Sequence, residues 1–375
     1  MELTITAKLK ILPTAEQQER LRQTLSAYRD GCNFVSALIF ETKNLVQAAL
    51  HRQTYQLLRT VYALRSQIAE SVVKTTMARY KSLKSNGHAW SKVQFKKPEL
   101  DLVWNRDYSL GQGAFSVNTL QGRIKVPFES KGMERYLDRS WTFGTAKLVY
   151  KHGKFFLHIP MTKEMDETSL HDVVQVVGVD MGVNFLATTY DSQGHTTFVH
   201  GRSVKDRRSH YKQLRKELQQ RQTASARRRL LAIGQRETRF MTDVNHQVSK
   251  ALVARYGKNA LFVLEDLEGI RTATEKVRKN NRYETVSWAF YQLRQMIEYK
   301  AVMNQSHVVA LDPRHTSQMC PKCRHVEKRN RNKKKHQFEC QNCHYRSNDD
   351  RVGAMNLHRK GMEYLVAVTT QASPV

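Results

Sequence analysis

The sequence predicts a multidomain chain, part β and part α/β: a small β domain interrupted by a block of helices, then an α/β domain with a cysteine-rich insertion. Three observations predict it. Residues 2–12 alternate apolar and polar side chains, yet the short strand patterns that match them come only after residue 93. Between the two, residues 14–88 carry apolar side chains at helical spacing. From about residue 172, three strand patterns run in succession, and then helix and strand alternate.

In the first run Leu3, Ile5, Ala7, Leu9 and Ile11 share one face, opposite Glu2, Thr4, Thr6, Lys8 and Lys10, and Pro13 ends the strand. Thr14 and Gln17 have capping-box spacing, and Leu21, Leu25 and Tyr28 then open a helix. Helical patterns continue to about residue 85 with a break near 41–53, and Leu64, Ile68, Val72, Met77 and Tyr80 form one core-facing stripe. Asn86 and Gly87 end the block. Segments 115–117, 123–128, 144–150 and 154–162 read as strands separated by Gly and polar turns, a small barrel or sandwich whose missing strand is the first one. The apolar run 173–180 leads through Gly-containing turns to 185–190 and 195–200, an antiparallel meander. A long basic helical stretch reaches about residue 256. Strand 260–265, a polar loop at 269–286, a helix at 287–303, a strand at 307–311, the cysteine segment and a final helix complete the chain. Three antiparallel strands followed by alternating helix and strand is the element order of RNase H folds.

Composition narrows the partners. Hydrophobic residues make up 40% of 375, enough for globular domains, while 62 Lys and Arg against 34 acids leave a net charge of +28. That excess implies a polyanion. No run of eighteen apolar residues and no signal-peptide pattern is present, so nucleic acid rather than membrane is the expected partner and the cytoplasm, close to the nucleoid, the expected location.

Three acids carry the candidate chemistry. Asp180 and Glu265 end apolar strands, and Asp350 opens the last helix. Carboxylates converging from such ends make a hard-oxygen site for Mg²⁺ or Mn²⁺, and two ions held that way clamp both the attacking and leaving oxygens of a phosphodiester. Asp349 rivals Asp350, and Asp266 and Glu268 rival Glu265; strand alternation turns Asp266 to the opposite face, and Glu268 falls beyond the strand. Cys320, Cys323, Cys340 and Cys343 form C-x₂-C-x₁₆-C-x₂-C, the spacing of a structural Zn²⁺ ribbon, with His325, His336 and His344 as rival ligands. The fifth cysteine, Cys32, reads as a small buried hydrophobe. Phosphate contacts are expected from Arg329, Arg331, Lys333, Lys334 and Lys335 in the ribbon loop. They are also expected from residues 202–239, where thirteen Lys and Arg face three acids and Arg207, Arg208, Arg227, Arg228 and Arg229 stand out.

The strings VVGVDMGVNFLATTYDSQG (176–194), LFVLEDL (261–267), IEYKAV (297–302), HTSQMCPKC (315–323) and DRVGAMNL (350–357) resemble the TnpB proteins of insertion sequences, relatives of type V CRISPR effectors. SAYRDGCNFVSAL (26–38) and QFKKPE (94–99) extend the resemblance over nearly the whole chain. It implies a RuvC-like RNase H nuclease at 172–314 and 348–375, a zinc ribbon for target nucleic acid at 315–347, a wedge β-barrel from 1–13 and 89–171, and a helical recognition lobe at 14–88 inserted into it. The family's acids carry over onto Asp180, Glu265 and Asp350, the last because the family pattern D-x-N-A-A-x-N starts there. This chain departs from that pattern with Val352 and Gly353 for Asn and Ala, and with Arg324 and His344 where glycines usually follow each cysteine pair.

The expected activity is therefore RNA-guided cleavage of double-stranded DNA beside a short adjacent motif. It would be carried out by a monomer bound to guide RNA, with two Mg²⁺ (or Mn²⁺) ions at the acids and a structural Zn²⁺. The alternatives are a guided DNA-binding protein without nuclease activity and a transposase that works without RNA. A bare zinc-ribbon module leaves the acids unexplained.

Overall fold

The computed structural model describes residues 1–111, 113–138, 140–266, 288–333 and 335–371. The polar loop at 269–286, Glu268, Ser287 and Lys334 lie outside these described residues. The chain divides into two units, Glu2–Glu164 and the part from Met165 onward.

In the first unit, β1 (Glu2–Ile11) lies between two strands distant in sequence, β5 (Gly122–Glu129) and β8 (Lys154–Glu164). With β2 (Glu99–Leu102), β3 (Tyr108–Leu110), β4 (Ala114–Thr119) and β7 (Ala146–Lys151) they run in the order β2-β7-β8-β1-β5-β4-β3, and the two-residue β6 (Thr142–Phe143) pairs with β8. The sheet curls into a nearly closed barrel. Leu3, Ala7, Leu9 and Ile11 are buried, as alternation requires.

Three helices interrupt the barrel in sequence. The Thr14–Gln17 capping box forms and starts α1 (Ala15–Thr42), which stops at Lys43 in the left-handed conformation, φ 54°. Next come α2 (Gln47–Thr60) and α3 (Ser66–Ser85). The interruption is shorter than the expected 41–53, since α2 begins at Gln47. Its buried stripe is Leu50, Thr54 and Leu58, and the polar Thr54 in an apolar position hides the period. Its hydroxyl donates to the Leu50 carbonyl at 2.7 Å, so it is buried without an unmet polar group.

In the second unit, β9 (Gln175–Asp180), β10 (Phe185–Asp191) and β11 (Thr196–His200) are antiparallel. β12 (Ala260–Glu265) runs parallel to β9 and to β13 (His307–Leu311), giving the order β11-β10-β9-β12-β13. The basic stretch is two helices, α4 (Arg202–Arg221) and α5 (Ala224–Tyr256), parted by Gln222 at φ 51° and restarted by the Thr223 cap. One core joins the sheet to α5 and α6 (Trp288–Met303) through Val248, Leu252, Phe262, Leu264 and Ile297. On the other face Val176, Leu261 and Val263 pack with Leu357 of α7 (Asp349–Gln371). A three-stranded sheet of β14 (Arg331–Asn332), β15 (Gln337–Glu339) and β16 (Arg346–Asn348) precedes α7. Among the described residues no helix is long and apolar enough to cross a membrane.

Helix α7 sits on the sheet at backbone distance. A Cβ at Gly178 would overlap the Ala354 carbonyl oxygen and the His358 nitrogen, and one at Gly361 would overlap the Val263 side chain. Gly178→Ala meets backbone on both sides and has no flexible neighbour to displace. It should lower unfolding stability by on the order of 3 kcal/mol in a denaturant titration. An unchanged midpoint would show that α7 is not seated on β9 as described.

Candidate active site

Alternation along the central strands decides which carboxylates meet. Val177 and Val179 enter the core beside α5 and α6, whereas Val176 enters the core under α7. Asp180 therefore shares the α7 face with Val176 and Gly178. In β12, Phe262 and Leu264 point to α5 and α6 and Leu261 and Val263 to α7, so Glu265 also faces α7. The parallel register sets Leu264 against Val179, which places Glu265 beside Asp180 one residue further on. The start of α7 arrives at the same end. Gly353 lies so close that a Cβ there would stand 2.6 Å from the Asp180 Oδ2.

The three carboxylates feel one another. Burial, followed by the charges of Glu265 and Asp350, holds Asp180 well above the usual carboxylate range. Burial raises Glu265 as well, against a hydrogen bond from Thr316 and the charges of Arg331 and Lys360. Asp350 is raised by burial and by Asp349, with Arg331 and His336 opposing. Among the described residues, the groups of ligand atoms that all lie within 4.8 Å of one another are the four cysteines and His336, Asp349 and Asp350.

The rival acids have other partners. Asp349 is fully buried and pairs with Arg331 at 2.7 Å, with His336 Nδ1 at 3.4 Å. Asp266 faces the other way and pairs with Arg294 of α6 at 3.1 Å. Sequence reasoning missed three supporting residues. Arg331, expected at phosphates, turns inward among the acids and comes within 3.6 Å of Asp350. Thr316 donates to Glu265 Oε1 at 2.7 Å, and Asn356 of α7 donates to the carbonyls of Thr316 and Met319 at 2.7 and 2.8 Å. Thr316 lies in the TSQ string and Asn356 closes the D-x-N-A-A-x-N pattern, so the signal was present but its purpose was not.

The four thiols converge without help from histidine. Cys320 and Cys343 are 3.5 Å apart at sulfur, as are Cys323 and Cys340. Tetrahedral Zn–S bonds of about 2.3 Å put sulfurs about 3.8 Å apart, so the donor set fits that metal. Each pair forms the same turn: the amides of Arg324 and His344 donate to the carbonyls of Cys320 and Cys340. Those two residues adopt φ 62° and 54°, the left-handed region that explains the glycines usual there. His325 turns to Glu327, and His336 accepts from Asn184.

The basic candidates divide. Arg227, Arg228, Arg229, Lys333 and Lys335 are exposed, and Arg329 is exposed beside Glu327. Arg207 lies over the Phe240 ring. Arg208 reaches inward to buried Glu237, which Arg215 also contacts. Lys334 lies outside the described residues.

Two family descriptions match this chain: "Probable transposase" over residues 158–269 and "Cas12f1-like, TNB domain" over 290–357. A CRISPR-associated endodeoxyribonuclease Cas12f1 of Syntrophomonas palmitatica is 28% identical over 65% of this chain and 52% of its own length. A TnpB-like protein of Methanocaldococcus jannaschii is 34% identical over 34% and 45%. A putative RNA-guided DNA endonuclease InsQ of Escherichia coli is 26% identical over 64% and 62%. The chain thus spans about half the length of the curated relatives it matches. A Cas12f1–sgRNA–target DNA complex has the same fold over 95% of this chain and 99% of that one, with a TM-score of 0.61 at 12% identity. The mini-RNA-guided endonuclease Cas_phi3 gives 0.57 at 10% identity, over 96% and 92%. The resemblance to TnpB proteins holds.

A carboxyl raised in the folded state binds its proton more tightly there than in the unfolded chain. Stability contributed by protonation is therefore lost as pH rises from the ordinary carboxylate range through the raised value. Asp180→Asn removes that penalty. In chelator it should raise unfolding stability at pH 8 by about 1 kcal/mol, with the gain vanishing near pH 4. A variant less stable than the parent at pH 8 would contradict the assigned electrostatics.

Proposed function

We propose that this protein is an RNA-guided DNA endonuclease of a transposable element, hydrolysing phosphodiesters at Asp180, Glu265 and Asp350. The observation that carries the reading is the meeting of three carboxylates, from two strand ends and a helix start, in a buried place that penalises their charge. The names of the relatives support it, and so does the shared fold. In these terms the five-stranded sheet with α7 is a RuvC-like RNase H domain and the cysteine segment a zinc ribbon.

Divalent cations fit the site. The carboxylates repel one another, the Arg331 guanidinium is shared with Asp349, and across the strand pair from Asp180 the buried Thr188 hydroxyl has no hydrogen-bond partner. Asp180, Glu265 and Asp350 would hold two Mg²⁺ or Mn²⁺, which supply activation of water and stabilisation of the leaving 3′-oxygen. The protein's own part is orientation. Thr316 fixes one Glu265 oxygen, Asn356 fixes Thr316, and Asn348 caps α7 by accepting from the Asp350 and Arg351 amides at 3.0 Å. The exposed arginines of α5 and the ribbon loop offer phosphate contacts, and the guide would supply sequence specificity.

Asp350→Ala should abolish cleavage while leaving guided DNA binding intact, and Asp349→Ala should chiefly destabilise the fold. The reverse assignment in a nicking and binding assay would overturn the choice between the neighbours. Cleavage should follow the guide when the terminal segment of the bound RNA is rewritten; cutting that ignores it, or needs no RNA, sinks the main reading. Thr316→Val should raise the Mg²⁺ concentration for half-maximal cleavage by roughly 10–100-fold, the usual cost of losing a group that orients a ligand. Cys340→Ser should release zinc and weaken cleavage, and metal analysis finding no zinc in the parent protein would remove the ribbon assignment.

A further inference from the structure

The first unit contains a cleft of about 650 Å³ that the nuclease reading leaves unused. It lies between α1, α3, the loop at 93–97 and strands β2 and β7, and its size suits a nucleotide-scale ligand. We propose that it holds the Watson–Crick edge of one unpaired base of the bound RNA, with the flanking phosphates on its rim. The inference rests on the reading that the chain carries a structured RNA.

The rim is cationic. Arg79, Lys96 and Lys97 line it with no ion pair among the described residues, while Glu99, which also lines it, lies 3.7 Å from Lys147. The floor is different. Asp101, with its side chain 16% exposed, accepts at Oδ2 from Thr75 at 2.6 Å and Tyr28 at 3.2 Å, and Lys147 stands 3.0 Å from Oδ1. A carboxylate has about four acceptor positions, so one on Oδ1 remains for a ligand. The free cations attract phosphate, whereas the fixed, acceptor-only Asp101 repels phosphate and receives N–H donors. A nucleotide combines those two demands, with an anionic backbone outside and the N–H groups of a base edge inside.

The wall supports the same occupant. Phe95 borders the cleft, and its backbone is clamped on both sides by Asn33, whose Oδ1 accepts from the Phe95 amide at 2.8 Å and whose Nδ2 donates to the carbonyl at 3.1 Å. The clamp fixes the backbone that carries the Phe95 side chain at the cleft, and an aromatic side chain there can stack on a base. Paired DNA must first expel a base from its stack, whereas folded RNA presents unpaired bases in loops and bulges. RNA is therefore the partner the cleft fits.

The test is chemical probing of the RNA that co-purifies with the full chain from cells carrying its flanking locus. Dimethyl sulfate reads the Watson–Crick edge of unpaired A and C, and carbodiimide that of U and G. One unpaired base should be protected in the parent complex and become about tenfold more reactive in Asp101→Asn, the loss expected for a hydrogen bond to a charged group. The same base should open in the Arg79→Ala, Lys97→Ala double variant, whose exposed positions leave folding undisturbed and carry the test should Asp101→Asn fail to fold. Identical reactivity in parent and variants overturns the proposal. An unchanged RNA pattern with weakened binding of target duplex also overturns it and assigns the cleft to DNA. If no discrete RNA co-purifies, the parent reading falls together with this one, an outcome distinct from a bound RNA whose pattern does not change.

Discussion

The second unit depends on one steric constraint, the contact of α7 with β9 at backbone distance. Gly178 on the strand, with Gly353 and Gly361 on the helix, removes the side chains that would hold the two apart. A helix seated on ordinary side chains stands farther from a sheet, and its first turn could not bring Asp350 to Asp180. The seat also explains Gly353 itself. In this chain the Asp180 carboxylate takes up the space that an alanine methyl would need, so the departure from the family pattern is matched by a local arrangement.

From that seat the support spreads outward. Asn356, about two turns into α7, reaches the loop before the cysteines, and Thr316 in that loop steadies Glu265. Arg331, from the small sheet, closes the site from the other side. The cysteine cluster is thus mechanically continuous with the carboxylates: Cys320, Phe338 and Cys340 share a core with Val352 of α7. Loosening the cysteine cluster would be felt at the acids through the packing they share.

Much of this was legible in the sequence because period and chemistry spoke together. The strand ends, the cysteine spacing and the capping box each couple a pattern to a residue type with few other uses. What was hidden followed from short or disguised patterns. Strands β2, β3 and β6 have four, three and two residues, too few for alternation to register. The basic stretch read as one helix because nothing in Gln222 announces a left-handed residue. Arg331 and Arg208 read as phosphate ligands because sequence counts charge and not direction; each turns toward a buried acid that only the fold brings near.

The placement of β1 governs the order in which the first unit is built. Its register runs from Glu2 against Glu164 to Ile11 against Phe155. A strand that precedes its main partner by most of the unit must therefore wait for nearly all of it to leave the ribosome before that partner exists. The helices in between close local contacts and form early, whereas the barrel carries the entropy of a long loop and is completed last. Until then β1 exposes an unpaired edge and an apolar face. A truncated or stalled product is accordingly the form of this protein most prone to aggregate, and α1–α3 are what it displays while still on the ribosome.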